Sequence, residues 1–542
     1  MSTPSTPTPS PEGKPNPFYK APSPSHLDRR DFVGLWTMAL GWSLASTCGA
    51  EEPGEPRERG KGKGGKGGGK GGRGGGGEFV LPQNLAAFAD LSITLGRPTD
   101  QSITISVLAK TAMEGFFEFG TTPGNLTRKT ALTPFPQGEP VEISLDGLKP
   151  NTEYLYRVQY RHVGTPTFSS RTENRFATQR APGSTFSFTL QGDSHPERMG
   201  KVTHPELYAR TLLSAASMKP DFHICIGDDF SVEHLPSITP ETVAEPYRLQ
   251  RPFLGLIGQN APVFLMNGNH EQASLYNYNQ SDVRRDVAVH AQIARNRFFP
   301  TPGPDHFYSG NPEPLKDIGL LKDYCAWTWG DALFILLDNY WHSPALVDSG
   351  FAGEEAVPKN REGKKDRDWW GITIGDVQYE WLKKTLESSK AKYKFVFAHH
   401  VLGSGRGGVE EADLYEWGGQ GKRGEGSFAQ KRPKWELPIH QLMVKNKVTI
   451  FFQGHDHLYC KQEKDGIIYQ ELPMPSDKDY TAYNDDRYVT GTKLPNSGFL
   501  NVTVSPAGVK VDYIRSFLAK DETSENKQGS ICHSYSVPPR TA

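Results

Sequence analysis

Five times between Ser184 and His457 a short apolar, β-type run stops abruptly in a knot of Gly, Asp, Asn and His. Thr185-Phe186-Ser187-Phe188-Thr189-Leu190 leads to Gly192-Asp193-Ser194-His195, and Phe222-His223-Ile224-Cys225-Ile226 leads to Gly227-Asp228-Asp229. Pro262-Val263-Phe264-Leu265-Met266 leads to Gly268-Asn269-His270-Glu271, Lys394-Phe395-Val396-Phe397-Ala398 to His399-His400, and Val448-Thr449-Ile450-Phe451-Phe452 to Gly454-His455-Asp456-His457. Runs of this length and composition read as buried strands. Helix-like segments at Pro205 to Met218, Asp376 to Ser388 and Trp435 to Lys445 alternate with them, so residues 183–516 are expected to fold as an α/β domain around a substantial sheet. In open α/β sheets the ligand crevice lies beyond the carboxyl ends of the strands. All five knots then converge there.

The residue types in the knots are those that hold divalent ions. Imidazole and carboxylate suit zinc, manganese or iron. The five cysteines, Cys48, Cys225, Cys325, Cys460 and Cys532, form no Cys-x-x-Cys pair, which argues against a thiolate zinc site or a disulfide scaffold. One or two disulfides stay open, and Cys225 reads as a small core residue. Alternation in Asp193-x-His195 and His455-x-His457 puts both members of each pair on one side of an extended chain, and the neighbouring glycines let the backbone turn sharply. Two ions about 3.5 to 4 Å apart that share a carboxylate supply a nucleophile at neutral pH and a clamp for in-line displacement at phosphorus. A lone Asp or His would be read as a turn cap or a satisfied buried ring, and so His204, His223 and His234 are. That reading does not account for seven ligand-type residues at five strand ends.

The ordered set Asp193-x-His195, Gly227-Asp228, Gly268-Asn269-His270-Glu271, Val396-x-x-His399 and Gly454-His455-x-His457 resembles the calcineurin-like metallophosphoesterase superfamily. The resemblance implies an αββα catalytic domain with two divalent ions, Mn, Zn or Fe. It further implies that Asp193, His195 and His457 hold the first ion, Asp228 bridges, and Asn269, His399 and His455 hold the second, with His270 protonating the leaving oxygen or stabilising its charge. Glu271 and Asp456 are then hydrogen-bond acceptors behind the ligands, and His400 orients a ligand or touches substrate. Purple acid phosphatases carry a metal-binding Tyr three residues after the bridging Asp; here Ser231 stands in that place, so a coloured tyrosinate-iron centre is not expected. Gly403-Ser404-Gly405-Arg406-Gly407-Gly408 either aims Arg406 at a phosphate or is a surface loop.

Ahead of this domain, residues 78–182 show short alternating stretches, such as Ile103, Ile105 and Val107, separated by Gly/Pro/Asn turns. Leu148-Lys149-Pro150-Asn151-Thr152-Glu153-Tyr154 resembles the tyrosine corner of fibronectin type III-like sandwiches, and a sandwich in this position resembles the amino-terminal domain of purple acid phosphatases. It is read as a brace or a binding module. Residues 51–77 are almost devoid of apolar side chains, and Lys61 to Gly77 is only Gly, Lys and Arg, a disordered tether with at most weak contact to an anionic surface. Within residues 1–50, Arg29-Arg30 before an uncharged run to Leu44 resembles a twin-arginine export signal, implying a periplasmic, cell-envelope or extracellular protein. Residues 517–542 read as a tail. Net charge of −1 gives no argument for nucleic acid or an anionic membrane as the main partner, and the resemblance implies a phosphate-ester substrate. An envelope-associated binding protein with an inactive metal domain remains the alternative at this point.

Overall fold

Buried and less buried side chains alternate along Met113–Gly120 and Glu153–His162, the two longest strands of the amino-terminal unit. Side chains on one face of each strand meet a second sheet, which is what the period-two pattern demands. One sheet pairs Leu91–Gly96, Ile103–Ala109 and Pro140–Leu145 antiparallel; the other is built on Met113–Gly120 and Glu153–His162. Leu95, Ile105, Phe117, Tyr156 and Phe176 fill the space between them. The backbone N–H of Lys149 donates to the Tyr154 hydroxyl at 2.9 Å, tying the strand back to the turn before it as a tyrosine corner does.

The computed structural model describes residue 85 and residues 89–232, 235, 237–273, 283–344, 368–401 and 405–539. The expected extension, signal and tether (1–77) lie outside the described residues, as do His234, Gly403 and Ser404.

The α/β domain is four layers: helices, sheet, sheet, helices. Its six-stranded sheet runs Val263–Leu265, His223–Cys225, Phe186–Gln191, Gly498–Ser505, Gly508–Arg515, Ile531–Val537, with the first three parallel. An eight-stranded sheet has Ala332–Leu336, Tyr393–Phe397, Ile450–Gln453 and Ile467–Glu471 as its parallel centre. The two inner faces are joined by an aromatic core: Phe264 stacks on Trp327 with centroids 4.2 Å apart, and Phe188 meets Phe334 edge-on at 5.0 Å. Such pairs contribute packing geometry beyond the area they bury. Helices Pro205–Ser217 and Pro240–Gly258 cover the outer face of the first sheet through Leu212, Val243 and Leu254. Helices Gly375–Ser388 and Ile439–Lys445 cover the second through Leu382, Leu386 and Leu442.

Two segments differ from their sequence reading. The helix expected from Trp435 begins at Ile439, because Pro438 occupies its N-cap position with φ −57° and ψ 156° and the ring disfavours helical geometry in the residue before it. The expected tail, 517–542, contains the strand Ile531–Val537, which pairs antiparallel with Gly508–Arg515. Its residues are half-buried or exposed rather than buried, so the apolar signal that marks a central strand is weak there. Among the described residues Cys225, Cys325 and Cys460 are free thiols, and no helix is long and apolar enough to cross a membrane.

Arg251 anchors the sandwich to the catalytic domain. From helix Pro240–Gly258 its buried guanidinium donates to Ser106 Oγ at 3.0 Å, Ser106 O at 2.9 Å and Ser92 O at 3.2 Å. Tyr156 adds a bond from its hydroxyl to Gln259 O at 2.6 Å. Buried charge at a junction demands this satisfaction, since an unpaired guanidinium there would cost several kcal/mol, on the order of that for any buried ion.

Candidate metal centre

Each of the five knots begins within a few residues of the carboxyl end of a strand, and the parallel strands of the two sheets bring those ends together. One ligand atom each from Asp193, His195, Asp228 and His457 lie within 4.8 Å of one another, and so do atoms from Asp228, His399 and His455. Asp228 belongs to both groups. His457 Nε2 is 2.7 Å from Asp193 Oδ2, His195 Nε2 is 3.6 Å from Asp228 Oδ2, and His399 Nε2 is 3.3 Å from Asp228 Oδ2. Asn269 Oδ1 lies 3.1 Å from His399 Nε2. The structure thus places all seven sequence-derived ligand residues together, with His270 beside them.

Backbone strain concentrates at these positions. His195, Asp228, His455 and His457 have φ of 42°, 57°, 79° and 59°, a region that L residues enter at a cost. Two glycines are needed for close approach rather than for their dihedrals. A Cβ on Gly454 would sit 2.6 Å from Asp193 Oδ1, and one on Gly268 would collide with the Asp228 carboxylate. Each glycine therefore lets one loop pass directly under a carboxylate delivered by another.

Hydrogen bonds orient the rings and carboxylates. A carbonyl only accepts, so the 3.0 Å contact of His399 Nδ1 with Ile226 O places a proton on Nδ1 and turns Nε2 toward Asp228. The His455 N–H donates to both Asp193 oxygens at 3.0 and 3.1 Å, and the His270 N–H donates to Asp228 Oδ1 at 2.9 Å. Glu271 accepts from the N–H groups of Asp228, Asp229, Phe230 and Gly268 at 3.1, 2.8, 3.1 and 2.6 Å. Asp456 accepts from Arg406 Nη1 at 2.9 Å, Gly407 N at 2.7 Å and the Tyr488 hydroxyl at 2.8 Å. Arg406 also donates to His455 O at 2.8 Å. Its described contacts brace the fifth knot.

The electrostatics divide the ring set. Burial pushes His399 down, but Asp228 and then Asp193 reverse this and hold its imidazolium up at about 10. Burial keeps His195 and His455 well below the ordinary imidazole value, with Arg198 and Arg406 respectively adding to it. Burial alone would raise Asp228, yet His399 and His270 hold it well below the usual carboxylate range. Neutral imidazoles and ionised carboxylates are the forms that bind a cation. The donor set therefore fits divalent ions without further rearrangement of charge, except that the proton on His399 Nε2 would have to leave.

Asp229 and His400 lie next to ligands without joining them. Asp229 Oδ1 accepts from Ser194 Oγ at 2.5 Å and Gln191 Nε2 at 2.9 Å, beneath the first knot, and burial raises its carboxyl to about 8. The His400 ring is 4.9 Å from that of His455. His223 is satisfied by Thr189 Oγ1 and Gln191 Oε1 at 2.8 and 3.2 Å, a buried structural ring.

Two contributors escape the sequence reading. Arg198, in the short turn Pro196–Arg198, places Nη2 3.0 Å from His270 Nε2; its only signal is a cation three residues beyond His195 in the same knot. A sixth strand end, after Ala332–Leu336, delivers Asp338 and Tyr340. Asp338 Oδ2 accepts from Asn267 Nδ2 at 2.8 Å, and the Tyr340 ring lies 6.3 Å from that of His399. No histidine or glycine directly follows that strand to mark it.

The family described as calcineurin-like phosphoesterase matches residues 186–459, just over half of the chain and all five knots up to His457. Among solved structures, one titled "Structure of PhoD" is similar with a TM-score of 0.55 at 15% identity, covering 83% of this chain and 90% of that one. GAP50, the anchor in the inner membrane complex of Plasmodium, gives 0.35 at 12% identity over 66% and 90%, and the phosphopantetheinyl hydrolase PptH of Mycobacterium tuberculosis gives 0.26 at 14% over 54% and 91%. The likeness to PhoD concerns the fold. No curated protein matches the chain.

Proposed function

Since the chain belongs to the calcineurin-like phosphoesterase family and is a metal-dependent phosphoesterase, we propose that its centre is dinuclear. Asp193, His195 and His457 hold one ion, Asn269, His399 and His455 the other, and Asp228 is shared. The observation that carries this is the single Asp228 carboxylate standing in both donor groups. When bound, such ions lower the pKa of a water to near neutrality and neutralise charge on phosphoryl oxygens.

The protein's own residues do the rest. Glu271 gathers N–H groups of the second and third knots and Asp456 ties the fifth to Arg406, Gly407 and Tyr488, so the ligand atoms are held in place before substrate arrives. His270 presents Nε2 3.8 Å from Asp228 Oδ2. A guanidinium only donates, so the contact with Arg198 makes Nε2 the acceptor and puts the ring proton on Nδ1. Once that contact is exchanged, Nε2 can take a proton from solvent water and pass it to the leaving oxygen.

Metal removal tests the reading. Protein stripped with a chelator should lose hydrolysis of 4-nitrophenyl phosphate and regain it when Mn, Zn or Fe(II) is supplied, with about two ions retained per chain. Full activity after stripping, or no activity with any of the three ions, would refute it.

We further propose that the protein is exported. Arg29-Arg30 and the uncharged run after it support this. Fractionation of a bacterial host should find the protein outside the cytoplasm, and the double change Arg29→Lys and Arg30→Lys should retain it inside. Equal export of both forms would sink the signal reading.

A further inference from the structure

Helix Pro240–Gly258 carries two prolines in its interior, Pro246 and Pro252. Each removes an N–H from the helical ladder and sets its ring against the carbonyl four residues earlier, so the stretch between them takes its position largely from what its side chains hold. Two adjacent buried residues of that stretch reach in different directions. Gln250 Nε2 donates to Ser194 Oγ at 2.8 Å and to Asp229 O at 2.7 Å, and Gln250 Oε1 accepts from the Tyr208 hydroxyl at 3.3 Å. Ser194 lies between the ligand residues Asp193 and His195, and Asp229 directly follows Asp228. The Ser194 hydroxyl donates to Asp229 Oδ1 at 2.5 Å and the His195 N–H to Asp228 O at 3.2 Å. Gln250 thus closes a tie between the first and second knots. Arg251 reaches the sandwich instead, donating to Ser92 O, Ser106 O and Ser106 Oγ, while its own carbonyl accepts from Ser92 Oγ at 2.8 Å. It also donates to Phe298 O in its own domain. A Cβ on Gly258 would sit 2.9 Å from Thr94 Cγ2, so the helix lies directly on strand Leu91–Gly96.

We propose that the sandwich positions the metal ligands through this pair. Arg251 fixes the helix on Ser92 and Ser106, and Gln250, one residue away, passes that position to the first two knots. Both act as positioning residues, since neither touches a ligand atom or a substrate. This rests on the dinuclear reading of the centre. Ligand atoms of Asp193 and Asp228 stand within 4.8 Å of each other, and two carboxylates so close repel one another until ions arrive. Bonds behind them must hold that spacing. Glu271 ties the second knot to the third, and Gln250 ties the first to the second from an element outside both. The sandwich is thereby part of the frame of the centre, and a change where it meets Arg251 is felt at His195.

The test uses the full chain as wild type, Gln250→Met, Arg251→Met and Arg251→Lys, with Tyr308→Phe as control. The Tyr308 hydroxyl donates to Pro98 O and so crosses the same domain junction without passing through the helix. Two readouts are taken: hydrogen exchange of the His195 amide in metal-free protein, and calorimetric binding of Mn. Gln250→Met should exchange faster at His195 and bind Mn about 10- to 100-fold more weakly, the scale for a group that orients ligands from behind. Arg251→Met should move both readouts the same way, with affinity down about tenfold, the lower end of that range. Arg251→Lys, which keeps the charge without the fork, should fall between it and wild type, and it decides alone if Arg251→Met does not fold. Tyr308→Phe should unfold at a lower temperature and move neither readout. Wild-type exchange or wild-type affinity in every folded Arg251 variant, or changes as large in Tyr308→Phe, would overturn the proposal. Should wild type bind no Mn, the dinuclear reading fails, and exchange at His195, read without metal, still decides the role of Gln250 and Arg251.

Discussion

Asp228→Ala should leave the protein with one bound ion or none and lower kcat/KM for a phosphate monoester by on the order of 1,000-fold or more, at least the cost of removing one preorganised electrostatic group. The size follows from position. Every other ligand serves one donor group, whereas Asp228 stands in both, 3.6 Å from His195 Nε2 and 3.3 Å from His399 Nε2. It also accepts the His270 N–H at 2.9 Å, so its loss loosens the acid along with the ions. Metal analysis of purified protein reads the first effect and steady-state kinetics the second. A metal-free NMR titration adds a readout independent of turnover. His399 should stay protonated up to about pH 10, because Asp228 and then Asp193 outweigh burial, and Asp228→Asn should lower that value by removing the larger of the two charges. Two retained ions and a rate within tenfold of wild type would take Asp228 out of the shared role.

Glu271→Ala should cost about 3 to 5 kcal/mol of stability, the upper range for a single substitution, with thermal unfolding of the metal-free protein shifted down by roughly 10 °C. One buried side chain here satisfies four backbone donors, on Asp228, Asp229, Phe230 and Gly268. Each buried donor left without a partner costs about 1 to 3 kcal/mol, though relaxation and water entry keep the sum below four full penalties. Burial and the charges of Asp228 and Asp229 push the Glu271 carboxyl up, against which the donated N–H groups act. Both oxygens are used as acceptors, so Glu271→Gln keeps one and turns an amide N–H₂ toward the others. It should fall between wild type and Ala. Metal affinity should drop about 10- to 100-fold in Glu271→Ala, because the second and third knots lose their common tie. A shift below about 2 °C, measured by calorimetry, would show that other groups satisfy those donors.

The five strand ends were legible because buried parallel strands are short apolar runs and ligand loops must break them at once with Gly, Asp, Asn or His. The same logic explains what stayed hidden. Asp338 and Tyr340 also follow a parallel strand, but through Leu337 without a glycine or histidine to mark the end. Arg198 looks like any surface cation until the turn Pro196–Arg198 points it at His270. Arg406 sits in a glycine-rich loop that suggests phosphate by composition, and its bonds to His455 O and Asp456, which brace the fifth knot, have no mark in that composition. The half-buried strand Ile531–Val537 lacked the apolar density that identifies central strands.

By itself the sequence pattern determined the residue types and their order along the chain: an α/β domain, a preceding β-rich segment with its Tyr154 corner, and seven ligand-type residues at strand ends, whose order resembles the phosphoesterase family. Local pattern suffices for these, since strand period, turn residues and donor type are properties of short segments. Only the tertiary structure decided that Gly268 and Gly454 must pass beneath carboxylates from distant loops and that Glu271 gathers four N–H groups, and it set the distances at which Asp228, the bridge implied by the resemblance, stands in both donor groups. Those are relations between segments tens to hundreds of residues apart, set by which strands lie side by side. No local pattern records them.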